Sequence, residues 1–122
     1  MKVKIDTKQK MHVISVEEDI LAANMTEDLK KTLLGFLKEP VKNVVVNFAQ
    51  VAEIEDEAAE ALSSLQQAFY DGGHSIVFCN FQPGVESFLD RKELLEVMNA
   101  TPTESEAMDI VQMEEIEREL LF

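Results

Sequence analysis

The residues best placed to do chemistry are few. The densest group of ionisable side chains between two apolar runs is Glu53-Ile54-Glu55-Asp56-Glu57. Four carboxylates around one isoleucine can stabilise a helix start, attract a basic partner or hold a hard cation. Acids at a helix N-terminus meet the positive end of the helix dipole, at roughly 0.3–1 kcal/mol each. A calcium loop would need a glycine-bearing ladder of oxygen ligands, which this segment lacks. Helix stabilisation and partner recognition therefore stand together as readings of the loop, and no metal is expected.

The remaining reactive residues are isolated. His12 and His74 have no Cys or His at ligand spacing, so both are expected to be structural. Cys79 is the single cysteine and closes the apolar run Ile76-Val77-Phe78-Cys79, where a thiol behaves as a small buried hydrophobe. Gly72-Gly73 precedes a β-like run, whereas a phosphate-binding glycine loop follows a strand and opens a helix. Neither a G-x-S-x-G nor an H-E-x-x-H pattern occurs. No catalytic residues are assigned, no cofactor is expected, and the chain is not expected to be an enzyme.

The elements that must position the acidic loop can be read from periodicity. Val3 and Ile5 share a face, and Met11 to Val16 follows the polar break Asp6 to Lys10; the pair reads as an antiparallel hairpin. Thr26 is the expected N-cap of a first helix, with Leu29, Leu33, Phe36 and Leu37 inward and Pro40 at its end. Val44-Val45-Val46-Asn47-Phe48 is a β-branched run suited to a strand covered on both faces, with Val51 to Ile54 as its exit. A second helix from about Asp56 to Tyr70 turns Ala58, Ala61, Leu62, Leu65 and Phe69 inward and stops at Gly72-Gly73.

Ser75 to Cys79 then reads as a second buried strand and Asn80 to Gly84 as a turn. A third helix carries Val85, Phe88, Leu89 and Leu94 inward, followed by an extended link from Met98 to Pro102. Thr103-Glu104-Ser105-Glu106 reads as a capping box opening a last helix with Ala107, Ile110, Met113, Ile116 and Leu120 in a stripe. Strands joined through helices call for a parallel sheet core, here with a hairpin at its start.

The totals agree with one α/β domain spanning 1–122. The 24 acids against 11 bases give a net charge of −13, which argues against nucleic acid and anionic membrane surfaces and favours solubility or a basic partner. The first residues lack the apolar core of a signal peptide, and no apolar run reaches the ~20 residues of a membrane span. The expectation is a cytoplasmic protein without membrane insertion.

Taken in order, Val44 to Phe48 with Val51 and Ile54, the Ala58 to Phe69 helix, Gly73 to Asn80, and Ala100-Thr101-Pro102-Thr103-Glu104-Ser105-Glu106-Ala107 resemble a STAS domain, the fold of bacterial anti-sigma-factor antagonists. The resemblance implies an α/β fold with a mixed four- to five-stranded sheet, an N-terminal antiparallel hairpin and about four helices. It implies a non-catalytic module that binds a protein partner, such as a kinase-like anti-sigma factor, through Ile54, Glu55, Asp56, Glu57 and Ala58. Family antagonists carry an Asp-Ser-Ser-Gly-like motif whose first serine is phosphorylated, and this sequence has Glu55-Asp56-Glu57-Ala58 there. Asp56 is the phosphorylation-equivalent position and has no hydroxyl. A carboxylate supplies about −1 charge where a phosphate would supply roughly −1.5 to −2, a partial and permanent mimic of the phosphorylated state.

The alternative reading is a structural, assembly or transport-system subunit that associates through its acidic C-terminal helix, in which case a homodimer is one outcome. Small STAS proteins also occur in lipid and anion transport. The stripe on that helix has two fates: packing on its own sheet, or covering a neighbour.

Overall fold

The computed structural model describes residues 1–121. Its main sheet holds five strands in the order β1-β2-β4-β6-β7, with β1 (Val3–Thr7), β2 (His12–Val16), β4 (Val44–Asn47), β6 (Ile76–Cys79) and β7 (Ala100–Thr101). β1 and β2 pair antiparallel across the polar turn, and β2-β4, β4-β6 and β6-β7 are parallel. The mixed sheet with an N-terminal hairpin is the arrangement expected from the sequence. The extended link becomes a two-residue edge strand, because Ala100 and Thr101 pair with Phe78 and Cys79.

The helices are α1 (Thr26–Gly35), α2 (Asp56–Asp71), α3 (Pro83–Arg91) and α4 (Glu104–Leu121). Alternation along the strands divides the core. Ile14, Val16, Val44, Val46, Ile76 and Phe78 meet residues of α1, α2 and α3 on one face. Val13, Val45, Val77 and Cys79 meet Ala107 and Val111 of α4 on the other. The unbroken apolar run of β4 has this cause: successive side chains point to opposite faces, and both faces are covered.

Several boundaries differ from the sequence reading. Thr26 is not an N-cap. A short 3-10 turn, Ala23–Met25, leads straight into α1, so Thr26 lies inside the helix, buried, with its hydroxyl unpartnered. Pro83 and Gly84 belong to the first turn of α3 rather than to the preceding turn, consistent with the tolerance of a helix start for proline. Of the residues assigned inward on α3 and after it, Val85 and Leu89 are buried, while Phe88 and Leu94 are half-buried. A separate two-stranded ribbon, β3 (Ile20–Leu21) with β5 (Glu53–Ile54), is too short to carry a period and was not expected as strands. At the end of α2, Gly73 takes the left-handed conformation with φ +75°, as its position after the last turn suggests.

Of the two fates open to the stripe on α4, most of its residues take the outward one. Ala107 is buried and Ile110 half-buried, yet Met113, Ile116 and Leu120 are 55%, 56% and 82% exposed. The inner line of the helix is instead Ala107, Val111, Glu114 and Arg118. Two polar residues occupy it because the inner ends of β4 and β6 offer polar partners. Ser75 Oγ donates to Glu114 Oε1 at 2.6 Å and accepts from Arg118 Nη1 at 3.0 Å. Asn99 Nδ2 donates to Glu114 Oε2 at 3.0 Å, and Asn43 Oδ1 accepts from the Ser75 amide at 2.9 Å. Hydrogen bonds to charged groups, worth about 1.5–3 kcal/mol each, replace apolar burial in fixing this half of the helix.

Candidate functional site

The acidic loop sits where β5 passes into α2. Ile54 is buried and pairs with Leu21 across the small ribbon, and the Glu55 amide donates to Leu21 O at 3.0 Å. The backbone of Ala52 and Glu53 is tied to Asp19 O at 2.8 and 3.2 Å. Ala58 is buried against the core one turn into the helix. Ile54 and Ala58 thus anchor the loop from below, and Glu55, Asp56 and Glu57 between them are exposed.

The three acids have different surroundings. Glu55 is the N-cap of α2 in extended conformation, but its side chain does not cap; Oε1 accepts from the Ala23 amide at 2.7 Å and braces the 3-10 turn before α1. Its carbonyl accepts from the Ala59 amide at 2.9 Å, beginning the helix. Asp56 pairs with Lys92 at 3.0 Å, and the same ammonium stands 5.7 Å from the centre of the Phe88 ring. Glu57 has no ion-pair partner among the described residues. Asp56 and Glu57 lie in the first turn of α2, where the helix dipole favours negative charge.

These acids form one bank of a groove of about 710 Å³, with Ile54 in its floor and Val85, Phe88 and Arg91 of α3 opposite. The site therefore has an apolar floor, an acidic bank and a basic corner at Arg91 and Lys92. Phe88, Arg91 and Lys92 were not singled out from the sequence. The signal available was Arg91-Lys92 at the end of a helix, and nothing in it pairs Lys92 with an aspartate 36 positions earlier, a separation that only folding closes.

The other reactive residues are occupied elsewhere. Burial, followed by the nearby Glu104 carboxylate, pushes the Cys79 thiol up to about 12, so the nucleophilic thiolate is suppressed. His12 lies between Thr7 Oγ1, 2.9 Å from Nδ1, and Val41 O, 2.8 Å from Nε2, with Phe36 packed at 4.3 Å between ring centres. A carbonyl only accepts, which places a proton on Nε2. His74 is lowered from its ordinary value, first by burial and then by Arg118 and Lys42. No group of His, Cys, Asp and Glu among the described residues is arranged to hold a metal ion, and no described helix is long and apolar enough to cross a membrane.

Residues 2–107 match the model of the STAS domain. The chain belongs to the STAS family. No curated protein sequence matches it significantly. Solved structures similar to this STAS chain include an anti-sigma factor antagonist from Mycobacterium paratuberculosis, with TM-score 0.78 and 12% identity over 91% of this chain and 93% of that one. A serine-to-glutamate variant of RsbS from Moorella thermoacetica follows at TM-score 0.75 and 18% identity, covering 92% and 96%. SpoIIAA of Bacillus in its unphosphorylated form has TM-score 0.72 and 17% identity, covering 91% and 96%. At these identities the likeness shows the STAS fold alone.

Proposed function

We propose that this STAS chain is a non-catalytic regulatory module that binds a protein partner in the groove between the start of α2 and α3. The observation carrying this reading is an open groove with an apolar floor, bounded by Glu53, Glu55, Asp56 and Glu57 on one side and Phe88 and Arg91 on the other. Phe88, half-buried beside that floor, offers an apolar anchor, and charged banks select orientation and partner. Several structural neighbours are anti-sigma-factor antagonists, which supports regulation by protein binding as the class of activity.

In this reading the serine phospho-switch is absent. By the family resemblance Asp56, at the helix start, takes the place of the phosphorylated serine, and Lys92 pairs with its carboxylate. The acids then act as permanent recognition elements, with Glu57 and the outer part of Asp56 available to a basic side chain of the partner.

The test is a pull-down from native lysate with the intact protein beside an Asp56→Ser, Glu57→Ser double variant, read by mass spectrometry. The expected result is a protein captured by the wild type and lost from the variant. Capture of a kinase-like anti-sigma factor by the serine variant alone would show the loop to be a locked, released state and would sink recognition by the acids. Identical capture by both proteins would move the binding surface away from this groove.

A further inference from the structure

Among the described residues α4 is the one helix on its face of the sheet, away from the α2–α3 groove, and nothing packs on its outer surface. Met113, Ile116 and Leu120 recur at i, i+3 and i+7, so they form one line on the side opposite Ala107, Val111, Glu114 and Arg118. The Ser75–Glu114 and Ser75–Arg118 bonds fix the rotation of the helix and hold that line outward. The STAS match ends at Ala107, so the line lies beyond it.

The charge that α4 itself exposes beside the line has one sign. Asp109, Glu117 and Glu119 are exposed along it, and Arg118, the only base in α4, is turned in toward Ser75 and Asn43. Next to Ile116 runs a groove of about 370 Å³ with Met11 and Met108 in it, closed on the far side by the hairpin turn. That turn carries Lys8 and Lys10, of which Lys8 is held by Asp6 at 3.2 Å.

We infer that the outer face of α4 is a docking strip for a basic amphipathic helix of a partner protein, with apolar anchors on the Met113–Ile116–Leu120 line and Lys or Arg beside them. Charge selects this occupant over a second copy of the chain. Two copies would bring the same acidic flanks together, each on a protein of net charge −13, whereas a lysine-flanked helix meets carboxylates on both sides of its anchors. Anchors spaced at i, i+3 and i+7 are those by which one amphipathic helix reads another.

The experiment is fluorescence anisotropy with the full chain and a synthetic helical peptide carrying leucines at i, i+3 and i+7 flanked by lysines. A second peptide with glutamates in place of the lysines is the control. The lysine peptide is expected to bind, and to weaken as salt screens the exposed carboxylates. Met113→Gln, Ile116→Gln, Leu120→Gln in one protein is expected to weaken it about tenfold or more, since apolar anchors carry most of such an interface. An Asp56→Asn, Glu57→Gln protein should bind it like the wild type, which separates this strip from the α2–α3 groove.

Retained binding by the triple variant, or loss confined to the groove variant, would overturn the inference. So would equal binding of the two peptides. If the triple variant fails to fold, Asp109→Lys with Glu117→Lys, which changes only exposed residues, must weaken the lysine peptide for the inference to stand. Sedimentation velocity gives the remaining outcome: a wild-type dimer that the triple variant dissociates would show that a second copy covers the strip, and the inference would fall.

Discussion

Cys79 is inert in the fold, as its place at the end of an apolar run leads one to expect. It belongs to the cluster of Val45, Val77, Ala107 and Val111, and with its thiol pushed up to about 12 it stays protonated at any ordinary pH. A thiol reagent such as Ellman's should therefore react with native protein only at the rate of local opening, and promptly once denaturant is added. Fast reaction of the native protein in mildly alkaline buffer would contradict that burial. Asp56 is a mixed case: its position at a helix start was legible, since an acid after a β-run and before an apolar-periodic segment has few other places to be. Its pairing with Lys92 was not, because ion pairs between distant segments leave no trace in spacing. The same holds for Glu55, whose carboxylate braces Ala23 rather than facing a partner alone.

The elements divide by how much of their fate is local. The start of α4 is local: Thr103 Oγ1 accepts from the Glu106 amide at 3.2 Å and donates to the Glu106 carboxylate at 3.0 Å. The forward half of the expected capping box is present, while the carboxylate returns to the hydroxyl. Thr103→Ala should then cost about 1 kcal/mol, as removal of a capping side chain usually does, measured by urea unfolding, and Thr103→Ser should restore it. No change in the alanine variant would mean that packing of Ala107 and Val111 alone sets the start of the helix. The rotation of α4 is not local. A stripe of apolar residues predicts an inward face only when the surface beneath is apolar, and here that surface ends in Asn43, Ser75 and Asn99. Glu114 and Arg118 win the inner face because they can bond there, and Met113, Ile116 and Leu120 are left outside. Thr26 failed as a cap for a related reason: a preceding 3-10 turn moved the helix start back from it.

At the scale of the molecule, covering is uneven. Helices lie over both faces of β4 and β6, whose apolar residues are fully buried, while β1 has one neighbour and is mostly exposed. Native-state hydrogen exchange should therefore be slowest at Val44–Asn47 and Ile76–Cys79 and faster in Val3–Thr7. Equal protection in β1 would signal a covering surface on that edge. The sequence by itself determined the class of the fold, the order of its main elements, the buried central strands and the place of the acidic loop. It could do so because those features rest on alternation, helical period, turn residues and caps, all of which act within a few residues. Tertiary structure alone decided the β3–β5 ribbon, the α3 bank that makes a groove of the acidic loop, and the face that α4 turns to solvent. Each depends on which polar groups meet across tens of residues, and burial requires such groups to find partners wherever the chain brings them together.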